Sequence, residues 1–339
     1  MVIPHSRPTF TERDEEVFAA LARERDLSPV VQVEALERDL AGTLGFAHAV
    51  ATSSGTAALQ LALAVLGVGP DTTVAMPSYV CSSLLLAAQE CGARLVLADV
   101  SPETFNMTAE ALRRAGGADV AVLPHMFGLP ADSVAVAREC GALVDDISLS
   151  VGAPLKLAGS VAVLSMYATK MLCAGEGGAL LSDDEGIAAA ARDLRFYDEK
   201  EGLRRRFNYK MSPLSAALAR SQLGQLGEFV RARRAIARRY LDALRGLPAS
   251  LPGGDGHAFY RFVLRVDDAE GLMAACAEGG VTCRRPVFRP LHRYLGLPDA
   301  DFAGAAEAFT RAVSVPIYPS LSGREQDEVI GAVRRALGA

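Results

Sequence analysis

The chain has 339 residues, half of them hydrophobic, with 40 acidic and 35 basic side chains and a formal net charge of −5. That length accommodates about two domains, and the acidic balance (pI about 5.7) argues against a general nucleic-acid or anionic-membrane binder. Mean hydropathy is +0.19, yet no apolar run approaches the ~20 residues of a membrane span.

The N-terminus, "MVIPHSRPTFTERDEE", carries no apolar core of a secretory signal, so a soluble, cytoplasmic protein is expected. From residue 48 onward short Val/Ala/Leu runs alternate with helical patterns. Strands are predicted at 48–52, 73–77, 94–100, 120–124, 142–147, 161–167 and 179–181. Their apolar character has no polar alternation, as expected where both faces of a sheet are covered. Helices are predicted at 57–66, 82–91, 109–115, 131–140 and 185–195. This βαβ rhythm predicts an α/β fold with a mostly parallel sheet flanked by helices.

Beyond about residue 223 the texture changes. "GEFVRARRAIARRYLDALRGL" reads as one helix ended by Gly246 and Pro248. A loop, a strand at 259–266, a helical segment at 268–278, a second strand in "GVTCRRPV" and a closing helix at 323–337 follow. The expected division is a large domain at 1–225, with an N-terminal arm, and a small C-terminal α+β domain at 226–339. Six scattered cysteines without a C-x-x-C pair predict no metal cluster or disulfide framework.

Three features fall at predicted strand ends, where ligands bind in α/β sheets. In "ATSSGTAAL" a strand runs through Ser54, Gly55 and Thr56 into a helix, whose N–H groups can cradle a phosphate; a plain N-cap would look the same. In "ALVDDIS" the adjacent Asp145 and Asp146 must point to opposite faces. The third is Lys170 in "SMYATKMLCAGEGG", one of four lysines in an Arg-dominated chain. A lysine can lose its proton and attack a carbonyl, which an arginine in practice cannot. Phosphate cradle, strand-end acid and lysine together are the parts of a pyridoxal 5′-phosphate site.

With "SRPTFTERD", "SSGTAALQLAL", "PHMFGLPAD", "VDDISLSVGA", "FNYKMSPLSAALARSQL" and "VPIYPSLS" in order around that lysine, the sequence resembles the DegT/DnrJ/EryC1/StrS family of sugar aminotransferases. The resemblance implies a fold-type I pyridoxal-phosphate transferase. It implies Lys170 as the Schiff-base lysine and Asp146 as partner of the pyridinium nitrogen. It further implies Ser54, Gly55, Thr56 and Ser165 around the phosphate, Asn208 reaching the neighbouring subunit's cofactor, and a homodimer with shared sites. Lys210 takes a position near substrate, with Tyr79 as a further candidate there. The implied reaction moves an amino group, glutamate being the expected donor, to a keto group of a nucleotide-linked sugar.

Departures are visible too. Leu149 stands where the family has a glutamine, Val151 where histidine is common, and Cys81 where an aromatic residue stacks on the cofactor. The segment from 152 to 165 is shorter than usual. These leave open another reaction on the same cofactor, such as dehydration, or a non-catalytic cofactor-binding role.

Overall fold

The computed structural model describes residues 2–24, 29–198 and 200–338. Two helices, α1 (Glu12–Glu24) and α2 (Pro29–Leu44), precede a seven-stranded sheet. Its strands are β1 (His48–Thr52), β2 (Thr73–Pro77), β3 (Arg94–Ala98), β4 (Ala118–Pro124), β5 (Cys140–Asp146), β6 (Val161–Ser165) and β7 (Gly178–Ser182). Helices α3 (Gly55–Val65), α4 (Ser83–Glu90), α5 (Ala109–Arg114) and α6 (Ser133–Ala137) alternate with them, and α7 (Glu185–Arg195) follows. The spatial order is β1-β7-β6-β5-β4-β2-β3. All neighbours from β3 to β6 run parallel, and β7 is antiparallel to both β1 and β6.

The sheet is sandwiched, which explains its unbroken apolar strands. Val50, Met76, Val122, Val144, Val163 and Leu180 pack with α3 and α4 on one face. Ala51, Ala162, Leu164, Ala179 and Leu181 pack with α2 on the other.

Helices α8 (Pro213–Gly224) and α9 (Leu226–Leu244) lead to a second, two-stranded sheet. Its strands are β8 (Phe262–Arg265) and β9 (Ala312–Val315), paired antiparallel. Between them lie α10 (Ala269–Glu278), α11 (Leu291–Tyr294) and α12 (Ala303–Arg311), and α13 (Gly323–Ala336) closes the chain. The core around β8 and β9 takes in Ile236 and Tyr240 of α9, Val329 of α13 and Ile3 of the N-terminal segment.

Two expectations change. The strand expected in "GVTCRRPV" makes only isolated bridges, Ile3 to Val281 and Arg284 to Ser314; β9 occupies the place beside β8, and Pro286 has no N–H to extend a ladder. The helix expected over 131–140 shrinks to α6, because the Asp132 side chain caps it at Ala135 N and Cys140 already pairs with Ala118 in the sheet. The α1 and α2 helices were not legible in the sequence pattern. Asp14 ties α1 down: it is buried and accepts hydrogen bonds from Ser221, Gln222 and Gln225.

Candidate active site

Strand pairing builds the site. Gly178 of β7 is opposite both Thr52 of β1 and Ser165 of β6, so the turn after β1 comes to rest beside the end of β6. The contact is close. A Cβ added at Gly55 would lie 2.5 Å from the Ser165 Cβ, and one at Gly178 would lie 2.3 Å from the Ser54 carbonyl oxygen. Only glycine permits this approach. Ser54 caps α3 by accepting from Ala57 N at 3.1 Å. The amides of Gly55 and Thr56 open the helix, where N–H groups lack intrahelical partners.

Asp145 and Asp146 end β5 and diverge. Asp145 is buried, 3.1 Å from His125 Nε2 and accepting from Gly159 N at 2.9 Å. His125 Nδ1 accepts from Ala131 N at 2.9 Å, so the ring proton sits on Nε2 and is donated to Asp145. Asp146 faces the other way and accepts from Ser148 N at 3.0 Å. Ser148 Oγ in turn accepts from Ser165 N at 2.8 Å, which locks the ends of β5 and β6 together. Lys170 follows β6 in a tight turn, its N–H bonded to Tyr167 O at 2.8 Å.

These residues line one cavity of about 220 Å³: Ser54, Gly55, Thr56, Cys81, Asp146, Ser148, Ser165 and Lys170, with Tyr167 and Glu176 at its edge. A larger cavity of about 660 Å³ beside Phe46, Val151 and Pro154 contains neither the lysine nor the paired serines. The smaller one suits pyridoxal phosphate. It has a glycine-tight helix start and hydroxyls for a phosphate, a carboxylate for a ring nitrogen, and an amine for an aldehyde. Among the described residues, no group of three His, Cys, Asp or Glu side chains could hold a metal ion.

The DegT/DnrJ/EryC1/StrS aminotransferase family profile matches residues 8–334. The chain belongs to this family. It is 33% identical to a dTDP-3-amino-3,4,6-trideoxy-alpha-D-glucose transaminase of Micromonospora megalomicea subsp. nigra, over 90% of this chain and 89% of that one. It is 31% identical to the spore coat polysaccharide biosynthesis protein SpsC of Bacillus subtilis (strain 168), over 98% and 96%. The solved aminotransferase TlmJ of Streptoalloteichus hindustanus superposes with a TM-score of 0.91 at 29% identity, covering 99% of both chains. This DegT/DnrJ/EryC1/StrS enzyme is therefore a pyridoxal-phosphate-dependent aminotransferase of fold type I.

Most residues expected at the site meet there, and three do not. Tyr79 is fully buried: its hydroxyl points to Ala308 O at 3.4 Å and its ring stacks on Phe105. Burial pushes its phenol well above the ordinary range. The preceding Ser78 explains the direction, since its Oγ lies 2.6 Å from the buried His292 Nδ1 and turns the chain into the core. A substrate contact by Tyr79 is thereby corrected. Asn208 and Lys210 are exposed and lie outside the cavity of their own chain. Asn208 bridges to Phe196, and the Lys210 Nζ sits 3.6 Å from the Phe196 ring centre. Leu149 packs against the cores on both faces of the sheet and does not line the cavity. Ser148, Tyr167 and Glu176 line it without having been singled out; Ser148 had a signal, being a hydroxyl residue two positions after Asp146, in the turn that follows β5.

Proposed function

We propose that this aminotransferase carries an amino group from an amino acid, glutamate first, to the keto carbon of a nucleotide-linked sugar. The observation that carries the reading is the meeting of Lys170, Asp146 and the Ser54–Gly55–Thr56 turn around one cavity. The sugar substrate rests on the two curated relatives above 30% identity, one named for a dTDP-sugar and the other for a polysaccharide.

Pyridoxal phosphate, when bound, supplies an electron sink for the carbon that loses its proton. The chain does the rest. Thr56, Ser165 and the first amides of α3 hold the phosphate. Asp146 keeps the ring nitrogen protonated, as a carboxylate beside a cation does. Lys170 would anchor the cofactor and, as a free amine, would take the proton from the donor Cα as general base. Cys81 leaves one wall of the cavity small where the family carries an aromatic ring.

The exposed Asn208 and Lys210 are read as contributions to a neighbouring subunit's site, which makes the working unit a homodimer. The division into 1–225 and 226–339 is our reading of the change from a seven-stranded to a two-stranded sheet. A cytoplasmic location agrees with six free cysteines. No helix among the described residues is long and apolar enough to cross a membrane.

The test is a half-reaction. The cofactor-loaded protein, mixed with glutamate, should lose its visible absorbance and release 2-oxoglutarate stoichiometrically, and the product form should then aminate nucleotide-linked keto-sugars in a panel. Lys170→Ala should show neither the band nor the turnover. Release of no keto acid from any amino donor would sink the reading.

A further inference from the structure

Lys170 shares its surroundings with an unusual phenol. Its Nζ lies 5.7 Å from the centre of the Tyr260 ring. Two guanidiniums share that ring, Arg261 at 4.6 Å and Arg233 at 6.0 Å. Tyr260 is buried, and its hydroxyl accepts a hydrogen bond from Arg261 at 3.1 Å. Arg261 also donates to Ser6 Oγ at 2.5 Å. Ser6 Oγ lies 3.1 Å from His5 Nδ1, and His5 Nε2 meets Ser314 Oγ at 2.9 Å. A continuous polar chain thus runs from β9 through the N-terminal segment and Arg261 to the phenol beside Lys170.

The charges around the phenol are of one sign. Arg233 is buried and donates to the carbonyls of Phe259, Tyr260 and Ile317. Among the described residues neither Arg233, Arg261 nor Lys170 forms an ion pair with a carboxylate. His5 adds no positive charge at neutral pH, because burial, Arg261 and Arg284 hold it down to about 3.

We propose that Tyr260 is a positioning residue for Lys170, its ring face and phenol oxygen holding the amine at the cavity whenever the amine is not bonded to cofactor. Arg261, braced by Ser6, fixes the ring. The proposal rests on reading Lys170 as the cofactor-linking lysine. A ring face attracts a cation, and a phenol oxygen facing several cations gains negative character. Burial by itself would raise the Tyr260 phenol; Arg261, Lys170, the Thr169 hydroxyl and Arg233 together outweigh it and bring it below its ordinary value. The phenol answers the charge of the amine, so the amine's place is set by the phenol as well.

The coupling is measurable without cofactor. Phenolate absorbance of the cofactor-free protein is followed against pH, and Tyr260→Phe identifies the Tyr260 component. Lys170→Ala removes one cation and should move that component to higher pH. Arg261→Gln, which leaves the lysine in place, should move it the same way. In the loaded enzyme, Tyr260→Phe should keep the visible band and the donor KM, slow the glutamate half-reaction roughly tenfold, a small share of what a proton-transfer group contributes, and enlarge the isotope effect of α-deuterated glutamate. A Tyr260 component unmoved by both Lys170→Ala and Arg261→Gln overturns the proposal, as does a wild-type half-reaction rate and isotope effect in Tyr260→Phe. Borohydride trapping and peptide mapping of the wild type separate the two readings: cofactor trapped on another lysine defeats the assignment of Lys170, whereas cofactor on Lys170 with an unmoved phenol defeats only the role of Tyr260.

Discussion

Asp145 and Asp146 leave the end of one strand in opposite directions, and the structure gives them opposite tasks. Asp145 is enclosed with two donors, His125 and Gly159. Asp146 opens onto the cavity that holds Lys170.

The pair can be separated by mutation. Asp145→Asn must turn an amide N–H₂ toward one of two existing donors, so urea unfolding should show a loss of about 3 kcal/mol. Asp146→Asn should cost less than about 1 kcal/mol in stability while lowering kcat on the order of 100-fold or more. Equal stability of the two variants would mean that the buried pairing of Asp145 is wrong.

Gly55 is the second test. Its added Cβ would press on the Ser165 Cβ at 2.5 Å and on the Ser165 Cα at 3.0 Å, and backbone cannot swing away. Gly55→Ala should weaken cofactor binding about 10- to 100-fold, with an overpacking cost of about 1–3 kcal/mol. Spectroscopic titration of the cofactor-free variant checks this. Unchanged affinity would remove the turn from the phosphate site.

Acid should destabilise the fold through His257. Burial, aided by Arg234, holds its imidazole down to about 4, and its Nδ1 accepts from Phe259 N at 2.9 Å. The unfolded chain binds this proton near pH 6.5 and the folded chain does not, so stability is full above that pH and falls as pH drops toward 4. Between pH 7.5 and 5.5 the loss should be about 1.3 kcal/mol for this histidine. His257→Asn, which keeps an acceptor, should show a correspondingly flatter profile in urea unfolding at the two pH values.

Cys81 offers a footprint. It is the exposed thiol of the six, 3.0 Å from Ser83 Oγ at the cavity wall. Burial raises the thiols of Cys91, Cys140 and Cys173, which slows their alkylation. Iodoacetamide followed by mass spectrometry should label Cys81 first in the cofactor-free protein, and bound pyridoxal phosphate should slow that labelling. Equal labelling with and without cofactor would place the cofactor away from Cys81.

Subunit sharing can be tested by complementation. Lys170→Ala and Asn208→Ala homodimers should each be nearly inactive, and a mixture allowed to exchange subunits should regain roughly a quarter of wild-type activity, from one intact site in each hybrid dimer. No recovery after verified exchange would argue that Asn208 acts within its own chain.

The parts of the site legible in the sequence were those fixed by strand ends. Lys170, Asp146 and the Gly55 turn sit where a parallel sheet exposes its carboxyl ends, and alternation along β5 separated the two acids. Tyr79 was misplaced because spacing carries no direction; what turns it inward is His292, far away in the chain. The small sheet was half legible for a similar reason. "GVTCRRPV" touches β9 only through the Arg284–Ser314 bridge, while β9 pairs with β8 along its whole length, and local propensity does not record which segment forms the ladder. Tyr260 was invisible as a neighbour of Lys170, since only the packing of β8 and α9 against the large sheet brings them together.

The glycine-tight contact among Ser54, Gly55, Ser165 and Gly178 also orders events in time. Strand β7 lies between β1 and β6, so the anchor exists only after residue 178 has been synthesised and inserted beside residue 52. A shorter nascent chain has the serines and the helix but nothing to press them into place. The cofactor can then bind only folded protein, and by mass action its supply becomes a lever on how much of the enzyme survives in the cell.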